Sequence, residues 1–260
     1  MRVVLKVWRQ EGPASRGEFV RYPVEEGAKE MSILEALDVV NERLVHLGES
    51  PIAFDSDCRE GICGACGIVV NGLPHGPRAR TTACELRLRA FADGDEITLE
   101  PFVTGAFPLV RDLVVDRSAL DRVIQAGGYV SVRAGSAPEA NTLPVGKARA
   151  ETALDAASCI GCGACVAACP NGSAALFVGA KIAHLGRLPQ GTPEASRRAL
   201  SMVVAADREG FGGCTLHGEC HEACPKGIGL DVIAFMNRAT LAASLLDANE
   251  PLIEPRRPRT

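Results

Sequence analysis

Two runs of cysteine constrain this chain more than anything else in its 260 residues. The first is Cys159-x2-Cys162-x2-Cys165-x3-Cys169-Pro170, and the second is Cys214-x5-Cys220-x3-Cys224-Pro225. The first spacing is a ligand run for cubane iron–sulphur clusters, and where two clusters are present its fourth cysteine serves the other cluster. Cys159, Cys162 and Cys165 then need a distant partner, and Cys169 belongs elsewhere. The two runs must therefore meet in space, which ties residues 159–225 into one folded unit. Exchanging the fourth cysteines gives one set of four thiolates, Cys159, Cys162, Cys165 and Cys224, enough for [4Fe–4S]. The other set, Cys169, Cys214 and Cys220, has three, which suits a [3Fe–4S] cluster. His217 stands where a fourth ligand of that set would be, and imidazole also ligates iron. A histidine corner thus stays open, and a histidine merely beside the cluster is the simpler reading.

A third motif precedes these. Cys58-x4-Cys63-x2-Cys66, with Cys84 following after 17 residues, has the plant-type [2Fe–2S] spacing. Gly61 and Gly64 fit a loop whose backbone wraps closely round a cluster and turns its amides toward the sulphurs. Zinc is the alternative for such a cysteine set, but its sites come more often as two separated C-x2–4-C pairs. The eleven cysteines are an odd number, which argues against a disulfide framework and for a reducing compartment. The start, Met1-Arg2-Val3-Val4-Leu5-Lys6, is too charged for a signal peptide and runs straight into a strand pattern. No apolar run reaches the roughly 18–20 residues that span a bilayer. A net charge of −4 gives no sign of nucleic acid binding.

Around the motifs the periodicities change from strand to helix. Residues 3–8 and 18–24 read as paired strands joined by the loop at 11–17. Ser32-Ile-Leu-Glu35 is a capping box opening a helix with Ile33, Leu37, Val40, Leu44 and Leu47 on one face, and Gly48 ends it. Ile68–Val70, the Asn71-Gly72 turn and 97–101 continue the strand region. After a change of character over 106–125, Asp116 or Ser118 caps a helix running to Gln125. Residues 127–148 read as an irregular connection and 254–260 as a solvated tail. A helix from Pro193 to Arg208 should bury Ala195, Ala199, Met202, Val203 and Ala206. One from Asp231 to about Leu246 should bury Val232, Phe235, Ala239 and Leu241. The expected class is α+β, with a sheet-based domain over 1–105 and a helical one over 106–260.

There is no dinucleotide fingerprint, phosphate loop, Ser–His–Asp signature or zinc helix. The chemistry is spent on three metal centres, which suits an electron wire with a donor at one end and an acceptor at the other. With 2Fe, 4Fe and 3Fe ligand sets in that order, the chain resembles the iron–sulphur subunit of succinate dehydrogenase and fumarate reductase. The resemblance is carried by Cys58 to Cys66, Pro108-Leu-Val-Arg-Asp-Leu-Val-Val-Asp116, Cys159 to Pro170, and Cys214 to Gly227. It implies an N-terminal β-grasp domain of the plant-type ferredoxin kind and a C-terminal all-α domain like bacterial ferredoxins. It also implies a flavoprotein subunit carrying FAD, a membrane-anchor subunit, and quinone as the acceptor, at the cytoplasmic face of the bacterial inner membrane. The activity implied is succinate dehydrogenase (quinone), with no substrate-oxidising site on this chain. Fumarate reductase, or another flavin-dependent dehydrogenase, is the alternative, although the leading plant-type domain speaks against the latter. Better-known ubiquinone-reducing members have histidine after the first cysteine of the second run and a tryptophan after the first run. Here Thr215 follows Cys214, and no tryptophan follows Pro170. The loop is more similar to members that work with menaquinone, with Pro170, Thr215 and His217 as the quinone-adjacent residues.

Overall fold

The computed structural model describes residues 1–131 and 141–246. The expected connection over 127–148 falls partly, and the tail at 254–260 wholly, outside them. Within the described residues the chain is mixed α and β, with its strands in the first half and most of its helices in the second.

Strand β1 (Val3–Arg9) pairs antiparallel with β2 (Glu18–Val24), from Val3 opposite Val24 to Arg9 opposite Glu18. The period-2 pattern puts Val3, Leu5 and Val7 inward, where they are buried. Helix α1 (Ile33–His46) covers this face. Its capping box is complete: Glu35 N–H donates to Ser32 Oγ at 3.2 Å, and Ser32 N–H donates to Glu35 Oε2 at 2.6 Å. Ile33, Leu37, Val40 and Leu44 face the sheet as the spacing requires, but Leu47 is exposed. The helix stops there, at its cap, before Gly48 turns left-handed (φ +73°). Strands β3 (Ile68–Val70) and β4 (Leu73–Pro74) form a hairpin across Asn71 and Gly72, both at positive φ. Strand β5 (Glu96–Pro101) lies between β1, to which it is parallel, and β3, to which it is antiparallel.

Strands β6 (Leu109–Arg111) and β7 (Val114–Val115) form a small separate ribbon. Buried Asp112 at its tip accepts hydrogen bonds from Arg9 Nε, Gln10 N–H and Ala53 N–H at 3.2, 2.8 and 2.9 Å. Helix α2 (Ser118–Gly127) follows, with Ser118 N–H donating to Asp116 Oδ1. Then come α3 (Lys147–Ala157), α4 (Ala164–Ala168), α5 (Ala175–Arg187), α6 (Ala195–Arg208), α7 (Glu219–Glu222) and α8 (Asp231–Leu246).

Two hydrophobic cores result. One lies between the five-stranded sheet and α1; the other gathers Phe107, Val166, Ile182, Met202 and Ile233 among the helices. The chain crosses between them more than once, since Phe102 packs in the second core and Leu113 back in the first. On α6, Ala199 and Met202 are buried as expected, but so is Arg198. Its guanidinium donates to the carbonyls of Gly127, Gly191 and Tyr129, which lets a cation occupy the core stripe. On α8 the buried face is Val232, Ile233, Met236 and Ala243, and Leu241 is exposed. The helix crosses α5 closely, where a Cβ on Gly179 would meet the Val232 carbonyl. That contact rotates Ile233 inward and turns Leu241 out.

Candidate metal centres

The loop from Cys58 to Cys66 leaves the first core and returns to it at Cys66, which is buried beside Cys84. Gly61 and Gly64 have φ of +69° and +75°, values L-residues rarely take. Their near neighbours are protein: a Cβ on Gly61 would strike the Glu85 carboxylate, and one on Gly64 the Ile160 carbonyl. The N–H groups of Glu60, Ile62 and Cys63 all donate to Cys58 Sγ at 3.3–3.4 Å, and Ala65 N–H donates to Cys63 Sγ. The Glu60 and Ile62 amides hold the Cys58 thiol below its ordinary range. Cys84 is likewise held low, by the Cys66 thiol foremost and by Thr82, whose hydroxyl stands 3.1 Å from its sulphur. Buried His75 accepts the Ala83 N–H on Nδ1 at 3.2 Å and so fixes the residue next to Cys84. Burial pulls its imidazole down to about 4, leaving it neutral.

The fold brings Cys159, Cys162 and Cys165 of the first run up to Cys224 of the second, close enough for each of the three thiols to feel the charge of Cys224. Desolvation dominates here: it pushes Cys159 up, Cys162 up to about 12, and Cys165 well above its ordinary range. Ile228 N–H donates to Cys224 Sγ. Gly163, at φ +85°, turns the chain into α4, which carries Cys165 and ends at Cys169. Cys169 therefore points away from its own run. It lines a small surface cleft with Cys214 and Cys220. Thr215, Leu216 and His217 line the same cleft, and Asn171 steadies that loop by donating to Gly213 O and Thr215 Oγ1. Pro170 lies apart, on a different groove beside Arg78 and Arg80.

The first two sets adjoin. Arg117 Nη1 donates to Gly64 O and Cys162 O at 2.6 and 2.8 Å, and Nη2 to Ala65 O at 3.2 Å. Sequence reasoning passed over Arg117, Asp112, Arg198, His75 and Asn171. Arg117 did carry a signal, because an arginine at a helix N-cap gains nothing from the cap or the dipole. Among the described residues no three Cys, His, Asp or Glu side chains converge as ligands of one metal ion. The thiols stand instead in open sets, with amides aimed at sulphur. That donor chemistry fits clusters whose own bulk separates their ligands.

Residues 4–122 match the family described as 2Fe-2S iron-sulfur cluster binding domain, and residues 155–228 the 4Fe-4S dicluster domain. The succinate dehydrogenase iron-sulfur subunit of Bacillus subtilis is 33% identical over 224 residues, covering 81% of each chain. The chain belongs to the succinate dehydrogenase and fumarate reductase iron–sulphur subunit family. Another relative, the fumarate reductase iron-sulfur subunit of Wolinella succinogenes, is 30% identical across 90% of this chain and 94% of its own. The fold of the family subunit is also seen in the Mycobacterium smegmatis Sdh1 complex in the apo form. One of its chains superposes with a TM-score of 0.65 at 20% identity, covering 96% of this chain and 98% of that one. Among the described residues of this chain, no helix is long and apolar enough to cross a membrane.

Proposed function

We propose that this chain is the electron-transfer subunit of a succinate:quinone oxidoreductase, standing between an FAD-bearing flavoprotein subunit and a membrane anchor where quinone is bound. The observation that carries this reading is the order of the three thiol sets, in a chain of this family. Cys58, Cys63, Cys66 and Cys84 hold [2Fe–2S]. Cys159, Cys162, Cys165 and Cys224 hold [4Fe–4S], and Cys169, Cys214 and Cys220 hold [3Fe–4S]. When bound, such clusters take up and release single electrons over a wide range of potential. The five-stranded sheet with α1 is the β-grasp of plant-type ferredoxins, over 1–105. The helices of 106–260 form the bacterial-ferredoxin-like domain.

The protein's own residues have distinct tasks. The amides of Glu60, Ile62 and Cys63 stabilise negative charge on Cys58. The apolar walls round Cys162 and Cys165 exclude water from the second set. The cleft at Cys169, Cys214 and Cys220 opens to the surface at Thr215 and His217, both exposed. These two residues are the quinone-adjacent ones, with Pro170 on the neighbouring groove. Quinone is menaquinone on this reading, and His217 neighbours the third cluster without ligating it. The subunit is peripheral, held at the cytoplasmic face through its anchor.

The purified complex should contain about nine irons and about ten acid-labile sulphides per chain, from the sum of the three cluster types. EPR of the oxidised protein should show the [3Fe–4S] signal. Stoichiometric zinc without sulphide would end the reading, and a four-iron third centre would make His217 a ligand. Relatives carry both the succinate dehydrogenase and the fumarate reductase name. Succinate and fumarate turnover with a defined menaquinone analogue assigns the direction.

A further inference from the structure

We propose that Arg117 is the positioning residue that locks the first two thiol sets together and, through its charge, makes both of their clusters easier to reduce. This rests on the cluster assignment above. Gly64 and Ala65 lie between Cys63 and Cys66 of the first set, while Cys162 belongs to the second. One guanidinium holds carbonyls of all three residues. A planar fork with donors in fixed geometry keeps such a triangle of carbonyls in register, which a flexible point charge does not.

The stem of Arg117 runs past Gly163, whose missing Cβ leaves room for the Phe107 ring. Behind the fork, Gly64 lies directly against the Ile160 carbonyl. The two loops therefore touch as backbone, with the arginine closing the contact.

Among the described residues Arg117 makes three hydrogen bonds, all to neutral carbonyls, and no ion pair consumes its charge. Asp121 and Lys181 share the adjoining groove, and their opposite signs largely offset each other. An electron added to either cluster places negative charge beside this cation, in a half-buried setting where Coulomb interactions exceed those in water. The cation's hydrogen bonds reach no residue of the third set. Its helix does not explain it, since a cation at the start of α2 opposes the dipole.

The test is EPR potentiometry on the whole purified complex, comparing the native protein with R117M and R117K. R117M should make the first two centres harder to reduce, by about tenfold in equilibrium constant, or about 59 mV for one electron, and leave the third unchanged. R117K should restore the potentials, because the charge returns. It should still weaken the magnetic relaxation enhancement between the first two centres, because the fork is gone. Unshifted potentials in R117M, or an equal shift in all three centres, overturn the electrostatic role. If R117M loads no clusters, R117K decides: relaxation enhancement equal to native overturns the clamp. Absence of the first two EPR signals from the native complex would instead overturn the cluster assignment itself.

Discussion

Around Cys58, three backbone amides converge on one sulphur in a loop hung from a five-stranded sheet. Around Cys162, which is buried, and Cys165, which is half-buried, the side chains are apolar, and desolvation drives both thiols toward the neutral form. The surroundings differ in the same sense. The first region has its own sheet, a full capping box and Asp112 to hold it. In the second, α3, α4, α5, α6 and α7 have no side-chain caps. Its core includes Cys162 and Cys224, with Cys159, Cys165 and Cys220 packed against it. The first region is thus a fold that carries a metal loop, whereas the second is a fold organised by its metals. Iron ligation needs these thiols deprotonated, and only the metal compensates that charge in a dry site, so metal binding and folding should be coupled there.

The sharpest way to break this contrast is to strip the iron with a chelator under reducing conditions and follow amide hydrogen exchange. Amides of 159–169 and 219–224 should lose about a thousandfold in protection, or about 4 kcal/mol at 1.4 kcal/mol per decade. Those of β1, β5 and α1 should change by less than about tenfold. Equal loss in both regions would show that the sheet depends on iron as much as the helices do.

Each region also has a buried polar hub, and removing one should unsettle its own region first. Replacing Arg198 by Ala leaves the carbonyls of Gly127, Gly191 and Tyr129 without their donors. At 1–3 kcal/mol for each unsatisfied buried group, with some relief by water, the expected cost is about 3 kcal/mol to the helical region. D112A strands the Gln10 and Ala53 amides and takes one of several partners from the Arg9 guanidinium, and should cost the sheet region about 3 kcal/mol. Urea unfolding followed by Trp8, the single tryptophan, on β1 should register D112A strongly and R198A weakly. The reverse ranking would mean that the two cores unfold as one.

The features legible in the sequence were those whose cause is local. The capping box, the Asn71-Gly72 turn and the helix on 231–246 each arise from a few adjacent residues, and each is present. The cysteine spacing reached further, because a cluster imposes its own dimensions on the chain, and Cys169 does lie with Cys214 and Cys220. The parallel pairing of β1 with β5 was not legible, because nothing in either strand names a partner so distant in sequence. The burial of Arg198 and Asp112 was not legible either, since it is allowed only by carbonyls and amides that tertiary structure delivers. Leu241 fitted an amphipathic stripe, yet the close crossing at Gly179 selects the adjacent face.

A smaller effect should sharpen the local character of the first region. Ser32 Oγ accepts the Glu35 amide, so S32A should cost about 1 kcal/mol, the usual value of an N-cap. It should be felt by Trp8 without altering the iron content. Loss of iron on so mild a change would tie the sheet region to the clusters after all.

The smallest expected effect is on pH dependence. The Ser32 N–H, and then its hydroxyl, hold the Glu35 carboxyl below its ordinary value of 4.5. A carboxyl that is more acidic in the folded than in the unfolded state adds stability above the unfolded value, and that stability is lost as pH falls through the folded one. The window therefore lies below about pH 4.5, and above it the contribution is constant. The Glu35 side chain is about half exposed, at 49%, so solvent screening trims the contribution to a few tenths of a kcal/mol. E35Q should remove that slice of acid sensitivity from the Trp8-monitored transition. The acid sensitivity of the helical region, set by its thiolates and iron, should stay as it was. If E35Q leaves the Trp8 transition with its original slope below pH 4.5, the capping carboxylate contributes no charge-dependent stability, and only its geometry supports α1.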